Sequence, residues 1–177
     1  MSRLTALSSA TVALAASLAL TGCGGNVDFS IDEMIAVDTT VNAGTTTVAV
    51  DLAAQAGKAW KQRKHISSVS VDSAEVKVAS KGPNNAATQI SGSIYLLPDG
   101  ATAASQGLLV GSWTNEAITV GHTIVLPPSA ALNDFIESVF KGSGKFSILA
   151  TGSGTGGTRV DCTLHVTMSG SVKWKLI

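Results

Sequence analysis

Between Val160 and Met168 the chain reads Val-Asp-Cys-Thr-Leu-His-Val-Thr-Met, which places Val160, Cys162, Leu164, Val166 and Met168 on one parity. Successive side chains of an extended strand point to opposite faces, so this run describes a strand with one buried face and one wet face. A helix would scatter the same residues around its circumference. The same period recurs elsewhere. Val27, Phe29, Ile31, Ile35 and Val37 share a phase that only Glu33 breaks, and Val48, Val50 and Leu52 form a second short run. Val69 and Val71 alternate in one phase and Ala74, Val76 and Val78 in the other, so a bulge or tight turn is expected at Asp72-Ser73. Ile90, Ile94 and Leu96 lead into Pro98-Asp99-Gly100, where Pro presets φ and Gly tolerates positive φ, a turn signal. Further short strands are expected at 108–113, 117–120, 123–126, 146–150 and 172–176.

Two segments depart from period two. Residues 53–65 hold good helix formers and read as a short helix or a crossing loop. After Pro127-Pro128, Ser129 can cap a helix in which Leu132, Phe135, Ile136, Val139 and Phe140 make one apolar face and Gly142 ends the run. These elements predict an all-β domain: an immunoglobulin-like β-sandwich of about seven to nine short strands, with one amphipathic helix at about 129–141 in a connection. A small β-barrel with an apolar lumen is the alternative.

The first residues have a separate logic. A positive start at Met1-Ser2-Arg3, an apolar stretch from Thr11 to Leu20 and small residues before Cys23 make a secretory signal peptide. The apolar stretch is too short for a spanning helix, which needs about 20 residues. With Cys23 directly after Leu20-Thr21-Gly22, the segment resembles the lipobox of bacterial lipoproteins. The resemblance covers the targeting segment alone. It implies cleavage before Cys23, acylation of its thiol and amine, and residence in the cell envelope, and Gly24 in the following position is compatible with outer-membrane sorting. The order of strands, helix and final strands is also similar to many single-domain bacterial lipoproteins, a likeness that assigns no functional residue. The expected organisation is a signal peptide at 1–22, a lipidated tether at 23–26 and one domain at 27–177.

Composition narrows the mature part. The sequence holds 12 basic and 12 acidic side chains, and only Arg3 lies before Cys23. A balance near neutrality gives no field to attract nucleic acid. With Cys23 committed to lipid, Cys162 is left without an intramolecular partner and falls on the apolar parity of its strand, where a thiol packs as a small hydrophobe.

Catalytic patterns are sparse. Gly152-Ser153-Gly154-Thr155-Gly156-Gly157 satisfies G-x-G-x-x-G, but it leads into a strand, not a helix, and reads as a flexible hairpin loop. His65, His122 and His165 share no ligand spacing, and no cofactor or metal is expected. Asp28, Asp32, Glu33 and Asp38 form an acidic cluster that reads as a solvated face; Glu33, on the inward phase, needs a bulge or a partner.

The basic cluster Lys58, Trp60, Lys61, Arg63 and Lys64 has two readings. One is contact with anionic membrane headgroups, each basic residue contributing roughly 1 kcal/mol near such a surface. The other is a solvated loop with Trp60 folded inward. Three residues separate Cys23 from Val27 and span at most about 10 Å, so a lipid on Cys23 would hold the domain against the bilayer. The expected function is a membrane-tethered, non-catalytic module that offers a sheet edge or apolar patch, around Trp113 or Tyr95, to an envelope protein. A carrier of lipid or small apolar ligands and an envelope hydrolase are the alternatives.

Overall fold

The computed structural model describes residues 24–40 and 43–175. The expected signal peptide, Cys23, Val41, Asn42, Leu176 and Ile177 lie outside the described residues. Eight strands form two antiparallel sheets: β1 (Gly24–Thr40), β2 (Gly44–Asp51), β3 (Ile66–Lys81), β4 (Gln89–Pro98), β5 (Leu108–Ala117), β6 (Thr123–Leu126), β7 (Lys145–Thr155) and β8 (Arg159–Lys175). Helices α1 (Leu52–Gln55) and α2 (Gly57–Lys61) join β2 to β3, and α3 (Ala130–Lys141) joins β6 to β7. The first sheet runs β1-β8-β3-β6 and the second β2-β7-β4-β5.

The sandwich with its amphipathic helix is therefore present, and neither sheet closes into a barrel. Its strand order refines the immunoglobulin-like expectation. Eight strands shared between two four-stranded sheets, each alternating early and late strands, make a double-sheet jelly roll. Three strands are not short: β1 and β8 have 17 residues each and β3 has 16.

The alternation in the sequence is what closes the interior. Ile31, Ile35, Val76 and Leu164 of the first sheet face Val50, Ile94, Leu96 and Ile148 of the second, none more than 3% exposed. The phase break at Asp72-Ser73 is a register shift in the β3–β8 ladder between Val71 and Ser73, which lets one long strand present both sets inward. Glu33 is half-buried and is met by the side-chain amide of Gln55, whose oxygen also accepts from the Asp32 amide at 2.9 Å. A partner from α1 thus resolves the inward carboxylate without a bulge.

Two expectations are corrected. The segment 117–120 is not a strand: β5 ends at Ala117, and Ile118 alone turns inward at 2% exposed while Thr119 and Val120 face solvent. Nor is the glycine-rich run 152–157 a flexible loop. Gly152 to Thr155 belong to β7, and the turn into β8 occupies only 156–158. Gly154 sits where a Cβ would lie 2.3 Å from the Val160 side chain, so the glycine permits close packing within a strand.

Antiparallel pairing gives the domain two distinct ends. Gly24 is opposite Lys175, and Ile66 is opposite Trp174. The α1–α2 connection, loop 99–107 and α3 close this same end. At the other end Thr40 is opposite Arg159 and Lys81 opposite Cys162, and short connections at 82–88, 118–122 and 156–158 close it. At about 3.3 Å per residue, β1 separates the two ends by roughly 50 Å.

Candidate functional site

The end that carries Gly24 is sealed by aromatic packing. Phe140 of α3 is fully buried, with Phe29 of β1 edge-on at 5.5 Å and Trp60 of α2 tilted against it at 6.4 Å. Trp60 is half-buried and lies across Gly144, where a Cβ would fall 2.4 Å from the indole and where φ is +76°. Only glycine satisfies both conditions. The guanidinium of Arg63 covers the ring 4.6 Å from its centroid.

The expected basic site therefore divides. Trp60 and Arg63 are engaged in closing the core, while Lys58, Lys61 and Lys64 are exposed. Sequence reasoning did not connect this segment with the last strand. The β1–β8 and β3–β8 registers bring Lys173 and Lys175, both exposed, to the same end. They flank a shallow groove lined by Gly24, Gly25, Asn26, Ser67 and Trp174. The signal was present as the alternation Val172, Lys173, Trp174, Lys175, but the pairing partner of that strand was not.

The start of β1 is held tightly here. A Cβ on Gly24 would lie 2.6 Å from the Trp174 carbonyl oxygen, and one on Gly25 would lie 3.3 Å from the Trp174 indole. The residue after Cys23 is thus already fixed in the sheet.

The opposite end is polar and internally bonded. Asp38 and Arg159 form a two-point pair, with Nε and Nη2 each 2.8 Å from a carboxylate oxygen. The pair lowers the Asp38 pKa, chiefly through these hydrogen bonds, and raises that of Arg159 for the same reason. Asp161 accepts from the Asn84 amide at 3.1 Å, while its own amide donates to Asn85 Oδ1 at 3.2 Å. The amides of Ala86 and Ala87 both donate to the Arg159 carbonyl at 3.0 Å. Loop 82–88 is consequently fastened to the start of β8.

Of the acidic cluster, Asp28, Asp32 and Asp38 are exposed on one face, and Asp38 pairs with Arg159. His165 bonds Asp32 at 2.7 Å on the outside of the first sheet, and His122 bonds Glu116 at 2.7 Å near the hairpin end. The three histidines are not brought together, and among the described residues no group of three His, Cys, Asp or Glu side chains is placed to hold a metal. Cys162 is 3% exposed, and burial pushes its thiol pKa up to about 11, which leaves it protonated and inert.

Of the two centres expected for an apolar patch, Trp113 is 6% exposed and points into the core beside Gly92, whereas Tyr95 is half-buried and pairs with exposed Leu109. The large exposed apolar side chains, Met34, Leu109, Val120 and Val125, are scattered across both sheets and a turn. Among the described residues no helix is long and apolar enough to cross a membrane.

No protein-family model matches the chain. No curated protein sequence matches it either. Among solved structures it is similar to that of Desmodium yellow mottle tymovirus, at 9% identity and a TM-score of 0.37 over 99% of this chain and 98% of that one. The empty head of turnip yellow mosaic virus gives 8% identity and a TM-score of 0.38, over 99% of this chain and 92% of that one. Likeness at this level carries no argument about what this chain does.

Proposed function

We propose that this chain is a lipid-anchored, non-catalytic module of the bacterial cell envelope, which presents the hairpin end of its sandwich to a protein partner. The lipobox-like sequence ending at Cys23 supplies the anchor in this reading. The observation that carries the proposal further is the polarity of the fold. The residue after Cys23 opens β1 at one end, and the turns at 82–88 and 156–158 lie at the other. A domain anchored through Cys23 would hold those turns roughly 50 Å from the bilayer.

The bonding of loop 82–88 to β8 favours recognition by a preformed surface, since a fastened loop loses little freedom on binding. The histidine–carboxylate pairs are two separate exterior contacts, which suits a binding surface better than a converging catalytic site.

The test is crosslinking of the full-length protein in its native host, with a photoreactive residue at exposed Asn84 or Thr158 and a control at Ser67. The expected result is one discrete protein captured from positions 84 and 158 but not from 67. Capture of lipid alone would move the carrier reading to the front. Fatty-acid incorporation that persists in Cys23→Ser would overturn the anchor.

A further inference from the structure

We infer that the tether end is an anionic-headgroup surface, assembled from three separate segments, that fixes the tilt of the domain on its bilayer. The inference rests on the proposed anchor and adds an occupant for the surface beside it. Residues 57–67 supply Lys58, Lys61, Arg63 and Lys64, and residues 172–175 supply Lys173 and Lys175. Together these are six of the twelve Lys and Arg residues of the chain. No Asp or Glu occurs in either segment or in 24–27, which β8 holds beside them.

The register makes this one surface. Trp174 pairs with Ile66 on one side and Gly25 on the other, so the basic segment before β3, the start of β1 and the end of β8 meet across neighbouring strands. Adjacent strands are about 4.8 Å apart. Lys58, Lys61, Lys64, Lys173 and Lys175 are exposed, whereas Arg63 is drawn back over Trp60. Lys173 and Lys175 line the groove beside Gly24, while Lys58 lines a second groove with Asp28. Dispersed ammonium groups match a field of phosphates better than a single bidentate ligand, which arginine forks serve.

The bilayer is the occupant because of where the chain leaves the sheet. Gly24 lies at the edge of the groove, pinned beneath Trp174 and Lys175, and Cys23 immediately precedes it in the sequence. Acyl chains on Cys23 would bring phosphate groups to these lysines without any linker. Near such a surface each basic side chain raises partitioning about fivefold. A tether alone leaves the domain free to pivot; Lys173 and Lys175 beside the attachment point, with the lysines of residues 58–64, restrict its tilt and hold the hairpin end outward.

The experiment reconstitutes the full-length lipoprotein into phosphatidylcholine vesicles, with or without phosphatidylglycerol. Vesicle flotation reports attachment, and acetylation of each lysine by an amine-reactive ester, read by mass spectrometry, reports shielding. Exposed Lys81 at the hairpin end is the internal control. Expected are flotation with both vesicles, labelling of Lys61, Lys64, Lys173 and Lys175 slowed more than about fivefold by phosphatidylglycerol alone, and unchanged labelling of Lys81. Lys173→Glu with Lys175→Glu should return Lys61 and Lys64 to the rate in phosphatidylcholine, as should about 0.5 M salt.

Flotation with both vesicles but equal labelling in them overturns the headgroup surface and leaves the anchor standing. Flotation with anionic vesicles alone keeps the surface and overturns the anchor. Flotation with neither overturns both. Release of the shielding by inorganic phosphate at constant ionic strength assigns the lysines to a soluble anion and overturns the bilayer as occupant.

Discussion

The two ends of the sandwich are closed by different chemistry. At the Gly24 end, α3 brings Phe140 onto Phe29 and α2 brings Trp60 against Phe140, an apolar seal with exposed lysines on its outer side. At the hairpin end, tight turns are held by backbone amides, the Asp161–Asn84 and Asp161–Asn85 bonds and the Asp38–Arg159 pair. An apolar seal gains free energy from area removed from water, whereas polar turns in solvent exchange one set of hydrogen bonds for another. Stability should therefore be weighted toward the Gly24 end, and shape specificity toward the other.

The largest effect expected is that of Phe140→Ala. The ring is fully buried between Phe29 and Trp60, and such truncations cost about 3–5 kcal/mol. Urea unfolding of the full-length protein should show the loss as a lower midpoint with an unchanged slope. A loss below about 1 kcal/mol would mean that the helices cover this end without sealing it.

Gly157→Ala probes the hairpin end. An added Cβ would lie 2.1 Å from the Ala86 backbone oxygen, so loop 82–88 must shift, at a cost of about 1–3 kcal/mol. Cys162 provides a local reading of the same end, because it sits opposite Val37 and Lys81 and its buried thiol reacts only when the sandwich opens. The buried residues form one continuous cluster from Phe29 and Phe140 to Val37 and Cys162, so opening should be cooperative. Alkylation of Cys162 should then be faster in the distant Phe140→Ala variant than in Gly157→Ala. The reverse order would show that the ends open independently.

How much of this was legible in the sequence depends on the range of the interaction that decides it. The β8 parity, the β3 phase break, the α3 face and the Pro98–Gly100 turn are set by neighbours in the chain, and all four appear where period and turn chemistry place them; Ala101 donates to the Pro98 carbonyl at 3.0 Å. Strand order was not legible, because alternation says that a strand has a buried face but not which strand lies beside it. The basic residues near Gly24 were half legible for that reason. Lys58 to Lys64 form a visible run, while Lys173 and Lys175 join it only through pairing of β8 with β1 and β3. Trp113 misled because an aromatic near a strand end reads equally as edge or core. Gly92 on the adjacent strand, whose Cβ would fall 2.7 Å from the indole, is what makes room for it inside.

The smallest effect expected is at the Asp38–Arg159 pair, which sharpens the contrast by showing how little an exposed polar clasp contributes. Asp38 titrates below the ordinary aspartate range, first because Arg159 hydrogen-bonds its carboxylate. A depressed carboxylate pKa stabilises the fold above the unfolded value and loses that contribution as pH falls through the folded one. Asp38→Asn should thus unfold at a slightly lower urea midpoint than the wild type near pH 7, and the difference should fade as the pH falls below the ordinary aspartate range and through the lowered one. It should also shrink in about 1 M salt, since both partners face solvent. A difference that stays constant across the whole pH range would assign the role of Asp38 to the shape of its side chain and not to its charge. The hairpin end would then be held by geometry alone, with its ion pair left available to a partner.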